Sequence, residues 1–253
     1  MKKNKRRKKP ITWKRRIALI LAGLMLLFLA YGISLVVRVN LLPDAPKDGL
    51  DYPVRGIDVS SYQGKIHWPT LSSQGISFAF IKATEGSSHK DPTFDHNWKE
   101  AKKTHLRIGA YHFMSFETPG KTQAENFIST VGKTGGDLPP VVDVELYGGF
   151  IAKNPSSDQV HGILIPLLKE LKDEYGKDPI IYTTQHLYDK YISGNYDNDI
   201  WIADPSLNPQ LPDGRDWVFC QYSFEGVLKG YDGEVPHIDL NVFNGSKLDF
   251  VRY

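Results

Sequence analysis

Pro140-Val141-Val142-Asp143-Val144-Glu145-Leu146 is the stretch on which the fold turns. Valines and acids alternate in it. On a strand, residues i and i+2 share a face, so Asp143 and Glu145 project together while Val142 and Val144 go to the other side. If helices cover the valine face, the two carboxyls point into a barrel near its C-terminal mouth, where barrel enzymes keep their sites. The competing reading is a solvated strand end with Asp143 and Glu145 paired to Lys82 and Arg107.

Seven further β-rich runs surround this one: Arg55–Ser60, Ile76–Thr84, Arg107–Met114, Pro179–Thr184, Asp199–Asp204, Trp217–Ser223 and His237–Phe243. Segments of helical character follow the early runs. Trp68–Ser73 and His186–Ile192 are short, Phe94–Thr104 carries Trp98 and Ala101, and Thr122–Val131 carries Ala124, Phe127, Ile128 and Val131. Ser156–Tyr175 is the strongest, with Val160, Ile163, Leu164, Leu167, Leu168 and Leu171 on one stripe and Pro166 predicting a kink. The last runs are joined by turn-like Pro, Gly, Asn and Asp. Strand–helix alternation implies parallel pairing with right-handed crossovers. The expected class is therefore α/β, a small barrel with some helices deleted, an open doubly wound sheet being the alternative. Gly120-Lys121-Thr122 resembles the end of a P-loop, but Ser115 stands where that motif needs Gly.

Acids recur near other strand ends, Asp58 within Gly56–Ser60 and Asp239 within His237–Asn241. Burying carboxylates without partners costs several kcal/mol each, so four at one end of a fold are not there for packing. Close like charges force at least one pKa upward, giving a proton donor beside a group that stays ionised. Two such carboxyls are the usual equipment for glycoside cleavage. Tyr62, Tyr111, Phe113, Tyr147, Tyr182, Trp201 and Tyr222 lie within or just past strand ends, where flat rings with polar edges suit sugar faces.

Composition narrows the alternatives. Gly and Pro together make about 15% of the chain, below the ~25–30% of low-complexity sequences. The single cysteine, Cys220, forms no internal disulfide and reads as core. The eight His are scattered without His-Glu-x-x-His, which argues against zinc, and Gly-x-Ser-x-Gly is missing. His112 reads as a hydrogen-bonding residue at the barrel mouth rather than a catalytic base.

The net charge of +2 averages two opposite pieces. Residues 1–16 hold 10 Lys/Arg and no acid, whereas from Val39 onward 20 Lys/Arg face 29 Asp/Glu, or −9. An acidic body argues against nucleic acid as a partner. Between the two lies Ile17–Val37, 21 residues without a charge, long enough as a helix to span a ~30 Å hydrocarbon core. The cationic run before it keeps residues 1–16 cytoplasmic and sends the remainder outside. A cleaved signal ending near Ala30-Tyr31-Gly32 is the competitor, but Leu35-Val36-Val37 prolongs the apolar stretch and favours a retained anchor in the cytoplasmic membrane. Residues 38–53, with Pro43, Pro46, Gly49 and Pro53, have the composition of a linker lifting a domain of residues 54–253 from the lipid.

Gly56-Ile57-Asp58-Val59-Ser60-Ser61-Tyr62-Gln63-Gly64, followed by Ile66 and Trp68, resembles the opening of glycoside hydrolase family 25, the muramidases also called Chalaropsis-type lysozymes. Phe80–Gly86, Gly109–Phe113, Val142–Glu145, Ile181–Thr183, Trp201–Ala203, Gln221–Ser223 and Ile238–Phe243 follow in that family's order. The resemblance covers residues 54–253. It implies a distorted TIM-like barrel of eight strands and about five helices. It also implies cleavage of the β-1,4 bond between N-acetylmuramic acid and N-acetylglucosamine in peptidoglycan, without metal or cofactor. By the same resemblance Glu145 is the general acid, and Asp143 orients the substrate's 2-acetamido group, which itself attacks the anomeric carbon. Asp58 and Asp239 complete the acidic floor of the site, and Tyr111, Tyr182, Trp201 and Gln221 line the saccharide sites. The sequence departs from the family at Asp204-Pro205-Ser206, where many members carry an aromatic. No wall-binding repeat follows the catalytic region, so wall targeting is expected to rest on the anchor. The alternative is a membrane-tethered, catalytically weak glycan-binding or scaffold protein on the same fold.

Overall fold

A computed structural model describes residues 13–133 and 135–253. Most of the basic tail, residues 1–12, lies outside the described residues. Helix α1 (Trp13–Leu41) contains the apolar segment, and Leu19–Leu41 is long and apolar enough to cross a membrane. It continues to Leu41, past the expected boundary at Val37, because Arg38 and Asn40 are tolerated in a last helical turn and no Pro intervenes before Pro43.

The strands follow as β1 (Arg55–Val59), β2 (Phe78–Glu85), the two-residue β3 (His89–Lys90), β4 (Arg107–Phe113), β5 (Val141–Val144), β6 (Ile180–Thr184), β7 (Ile200–Ala203), β8 (Phe219–Gly226) and β9 (Ile238–Phe243). The sheet runs β1-β9-β8-β7-β6-β5-β4-β2 and closes through β1–β2, giving an eight-stranded barrel to which β3 adds a short hairpin on β2. Six of the eight barrel pairings are parallel, but β9 is antiparallel to both neighbours, β8 and β1. Parallel pairing throughout is therefore corrected at this seam. A parallel return needs a crossover of a dozen or more residues, usually helical, and residues 227–237 form only bends and irregular chain.

The remaining α-helices among the described residues are α2 (Trp68–Ser72), α3 (Phe94–Ala101), α4 (Gly120–Val131), α5 (Gly149–Ala152), α6 (Ser157–Tyr175), α7 (Gln185–Leu187), which runs on into a π-helix at Tyr188–Ile192, and α8 (Lys247–Arg252), with a 3-10 turn at Ser61–Gln63. Five of these domain α-helices have five residues or more, and α5 and α7 are single turns. Ser156 caps α6 by accepting from the Gln159 N–H, and the helix runs through Pro166 to a left-handed Gly176. Gly120 is explained by packing rather than phosphate binding, since a Cβ there would stand 1.9 Å from the Ile163 carbonyl oxygen of α6.

Strand alternation splits the apolar residues into two cores. Ile57, Val59, Ala79, Ile81, Ile108, Val142, Val144, Ile181 and Ile202 face outward under the helices. Phe78, Phe80, Val141, Ile180, Trp201, Phe219 and Phe243 point inward with Val54, Leu138 and Phe250 and fill the lower barrel. Gly56 and Gly109 make room for these rings, because a Cβ at either would lie 2.2 Å from the Phe78 ring or 2.6 Å from Phe80.

Residues 42–53 do not behave as a free spacer. Leu42 packs against the inner core, and the Lys247 ammonium reaches the Leu42 carbonyl and the Asp44 carboxylate. The buried Arg55 guanidinium pairs with Asp48 at 2.6 Å and donates to the Leu50 carbonyl at 3.2 Å. Composition suggested a linker, but a buried guanidinium needs its anion, and that contact straps the segment to the barrel floor.

Candidate active site

Above the aromatic floor the inward positions become polar. Asp58 of β1, Asp143 of β5, Gln221 of β8 and Asn241 of β9 are buried there, with Tyr182 and Trp201 beside them. Gln221 and Asn241 donate to one Asp58 oxygen at 2.8 and 2.7 Å. Tyr182 donates to Gln221 at 2.5 Å, and the Trp201 indole N–H to Asn241 at 2.8 Å. Asp58 and Asp239 are register partners across β1–β9, and burial and the Asp239 charge beside it push the Asp58 pKa up.

Lining side chains of the cleft include Asp58, Asp143, Glu145 and Asp239 together with Tyr62, Tyr111, Phe113, Tyr147, Tyr182, Trp201 and Gln221, around about 540 Å³ of water-accessible space. The structure brings eleven of the twelve acids, aromatics and Gln221 singled out from the sequence to one place. Tyr222 is not among them: it packs against the outer core. His112 is also corrected. It lies wholly buried on the outer face of β4, bonded to Thr84 at 2.7 Å and to Gln123 of α4 at 2.9 Å, and burial lowers its pKa to about 4. Strand parity explains this, since its neighbours Tyr111 and Phe113 take the inward face.

The surface reading of the acids does not hold either. Lys82 pairs with Glu85 at 2.8 Å and lies over the Phe113 ring, while Arg107 is bonded to the Phe250 and Asp137 carbonyls. Asp143 is 6% exposed and its Oδ1 has no partner in the protein. Its pKa is raised well above the ordinary carboxyl range, chiefly by burial and then by Glu145. Glu145 is raised by burial and by Asp239, against the lowering pull of Lys82. Asp58 is raised by burial and by Asp239, against its bonds from Asn241 and Gln221. Burial and mutual repulsion therefore raise all four carboxyls at this mouth above the pKa of an isolated one. The buried phenols of Tyr111 and Tyr182 are pushed up by burial and by these acids, and remain hydrogen-bond donors. Cys220 lies apart in the outer core, its thiol raised to about 12 by burial.

Lys82, Glu85, Gln63 and Phe224 also line the cleft, and sequence reasoning did not place them there. Lys82 was readable, because it continues the inward parity of Phe78 and Phe80. Phe224 was not. Register shifts between Gln221 and Gly226 break the alternation on β8 before it is reached.

Residues 57–231 match the family model for glycosyl hydrolases family 25. The chain resembles the solved structure of a family 25 glycosyl hydrolase from Bacillus anthracis at 46% identity, covering 83% of this chain and 97% of that one with a TM-score of 0.76. It is also similar to the bacterial lysozyme from Streptomyces coelicolor, at 34% identity over 76% and 93% of the two chains and a TM-score of 0.68. Lysozyme M1 of Streptomyces globisporus is 34% identical over 212 residues, 76% of this chain and 68% of that protein. With the barrel and its acidic mouth in view, these matches make the chain a glycoside hydrolase that belongs to family 25, the lysozyme and muramidase family of peptidoglycan hydrolases.

Proposed function

We propose that the domain cleaves the β-1,4 bond between N-acetylmuramic acid and N-acetylglucosamine in peptidoglycan glycan strands, with Glu145 as general acid. The observation that supports this most directly is the convergence of Asp58, Asp143, Glu145 and Asp239 in one cleft walled by aromatic rings. Glu145, half-buried and proton-retaining, gives its proton to the glycosidic oxygen as the bond to the anomeric carbon breaks. The unpartnered Asp143 oxygen accepts the N–H of the substrate's 2-acetamido group. That bond favours the ionised form of Asp143 and orients the acetamido oxygen toward the anomeric carbon, so no enzyme carboxylate needs to act as nucleophile. The Glu145 carboxylate then takes a proton from the water that completes hydrolysis. Burial and Asp239 raise the Glu145 pKa and Asp58 holds the polar floor beneath it, while Tyr62, Tyr111, Phe113, Tyr147, Tyr182, Trp201 and Gln221 form the saccharide walls.

The apolar helix α1 is read as a signal anchor in the cytoplasmic membrane, N-terminus inside and catalytic domain outside, near its wall substrate. The test is to incubate residues 39–253 with purified peptidoglycan and identify new reducing ends by mass spectrometry. New muramic acid ends are expected. New glucosamine ends would reassign the bond, and saccharide binding without release would make the protein a tethered glycan binder.

A further inference from the structure

We propose that the catalytic domain sits floor-first on the bilayer that α1 crosses, with α8 in the headgroup layer and the acidic mouth held facing away. The inference rests on reading α1 as a membrane span. Height is fixed by charge: Arg38 is the first charged residue after the apolar stretch, and a cation flanking a spanning helix sits among headgroups. At that height α8 packs on α1. Leu35 is buried, and an apolar crevice of about 370 Å³ lies between Leu35, Val36 and Val39 of α1 and Leu248 and Arg252 of α8. So α8 brings an exposed Leu248 and, one turn on, Arg252 to the level of Arg38, while Lys247 is held by Asp44 and Asp249 by its capping bond with Ser246. An exposed apolar residue one turn from a cation is what an interfacial element offers to acyl chains and anionic headgroups.

The chain between anchor and barrel then fixes the tilt. Leu42 is packed into the floor, Asp44 and Pro46 lie against Gly75, and Asp48 holds the buried Arg55. A segment with three such attachments is not a tether about which the domain swings. The cleft opens at the other end of the strands, since Asp58 lies four residues beyond the floor residue Val54, roughly 13 Å of strand. The site would therefore work at a set height above the lipid, on glycan strands that pass there.

Single cysteines Leu248→Cys and Ile151→Cys, introduced into the full chain while Cys220 stays buried, can carry a small fluorophore at floor and mouth; both native side chains are exposed. The labelled proteins are reconstituted in vesicles of phosphatidylcholine with phosphatidylglycerol containing bromine-substituted lipid. Several-fold stronger quenching at position 248 than at 151 is expected. Equal or absent quenching at both, in protein that resists carbonate extraction, overturns the docking while leaving the anchor in place. Protein released by carbonate overturns both. Inserting about ten Gly/Ser residues between Asp44 and Pro46 should leave cleavage of soluble glycan fragments unchanged and abolish the difference between the two positions. A difference that survives the insertion means the strap does not set the orientation, and overturns that part of the proposal.

Discussion

The two ends of this barrel are built from the same inward strand positions and hold opposite chemistry. At the floor Phe78, Phe80, Phe219, Phe243 and Phe250 meet ring against ring, with centroids 5.0–5.9 Å apart. Two residues from Phe219, Phe243 and the floor valine Val141 stand Gln221, Asn241 and Asp143, and Asp58 stands four residues beyond Val54. Trp201 joins the two regions: its ring stacks on Phe80 at 4.6 Å while its N–H donates to Asn241, which in turn holds Asp58. The floor gains stability from apolar burial, whereas the mouth gives some up, keeping like charges close where water is scarce. That division of labour implies that substitutions at the two ends fail in different ways.

Glu145→Gln is expected to have the largest effect. Removing the proton donor should lower peptidoglycan cleavage on the order of 10³–10⁴-fold, about 4–5.5 kcal/mol of barrier. Its unfolding midpoint should stay at or above wild type, because a group held proton-rich by burial and by Asp239 is no asset to folding. A comparable loss of stability would erase the contrast between the ends. Phe80→Ala should do the reverse. Its ring packs on Phe78, Trp201 and Phe219, so truncation should cost ~3–5 kcal/mol in denaturant unfolding. Activity per folded molecule, assayed where the variant is folded, should fall far less than in Glu145→Gln. Gly109→Ala asks the same of the floor's shape. A methyl 2.6 Å from the Phe80 ring forces that ring to shift, for about 1–3 kcal/mol of overpacking in the same unfolding assay.

How far the sequence reaches follows the same boundary. The barrel and the acidic mouth were legible because both rest on strand parity, a local property: Val142 and Val144 against Asp143 and Glu145, Phe78 and Phe80 continuing to Lys82. Features that depend on distant partners were not. The antiparallel β9 follows from the absence of a crossover helix, and an unpatterned connection says little about direction. Arg55 reads as an ordinary strand-edge cation until Asp48 is seen beside it, so the pinned segment passed for a free linker. His112 sits in a motif full of cleft residues, yet only its register and the Gln123 side chain from α4 show that it belongs to the outer layer.

Asp58→Asn is the gentlest way to separate charge from shape at the mouth. The amide oxygen can accept from Gln221 and Asn241 as the carboxyl does, and the amide nitrogen can donate to Asp239, so the network survives. What goes is the titration. In the folded domain the Asp58 pKa is raised by burial and by Asp239. Below the ordinary carboxyl range the group is protonated whether the chain is folded or not, and its contribution to stability is fully present. As pH rises, the unfolded chain loses this proton first, and stability falls until the raised folded pKa is passed. Asparagine has no such loss. Denaturant unfolding should therefore show the variant close to wild type near pH 4 and more stable by on the order of 1 kcal/mol at pH 8. A gap independent of pH would mean that Asp58 is not the group holding the proton, and that the mouth's tension lies with Asp143 and Glu145 alone.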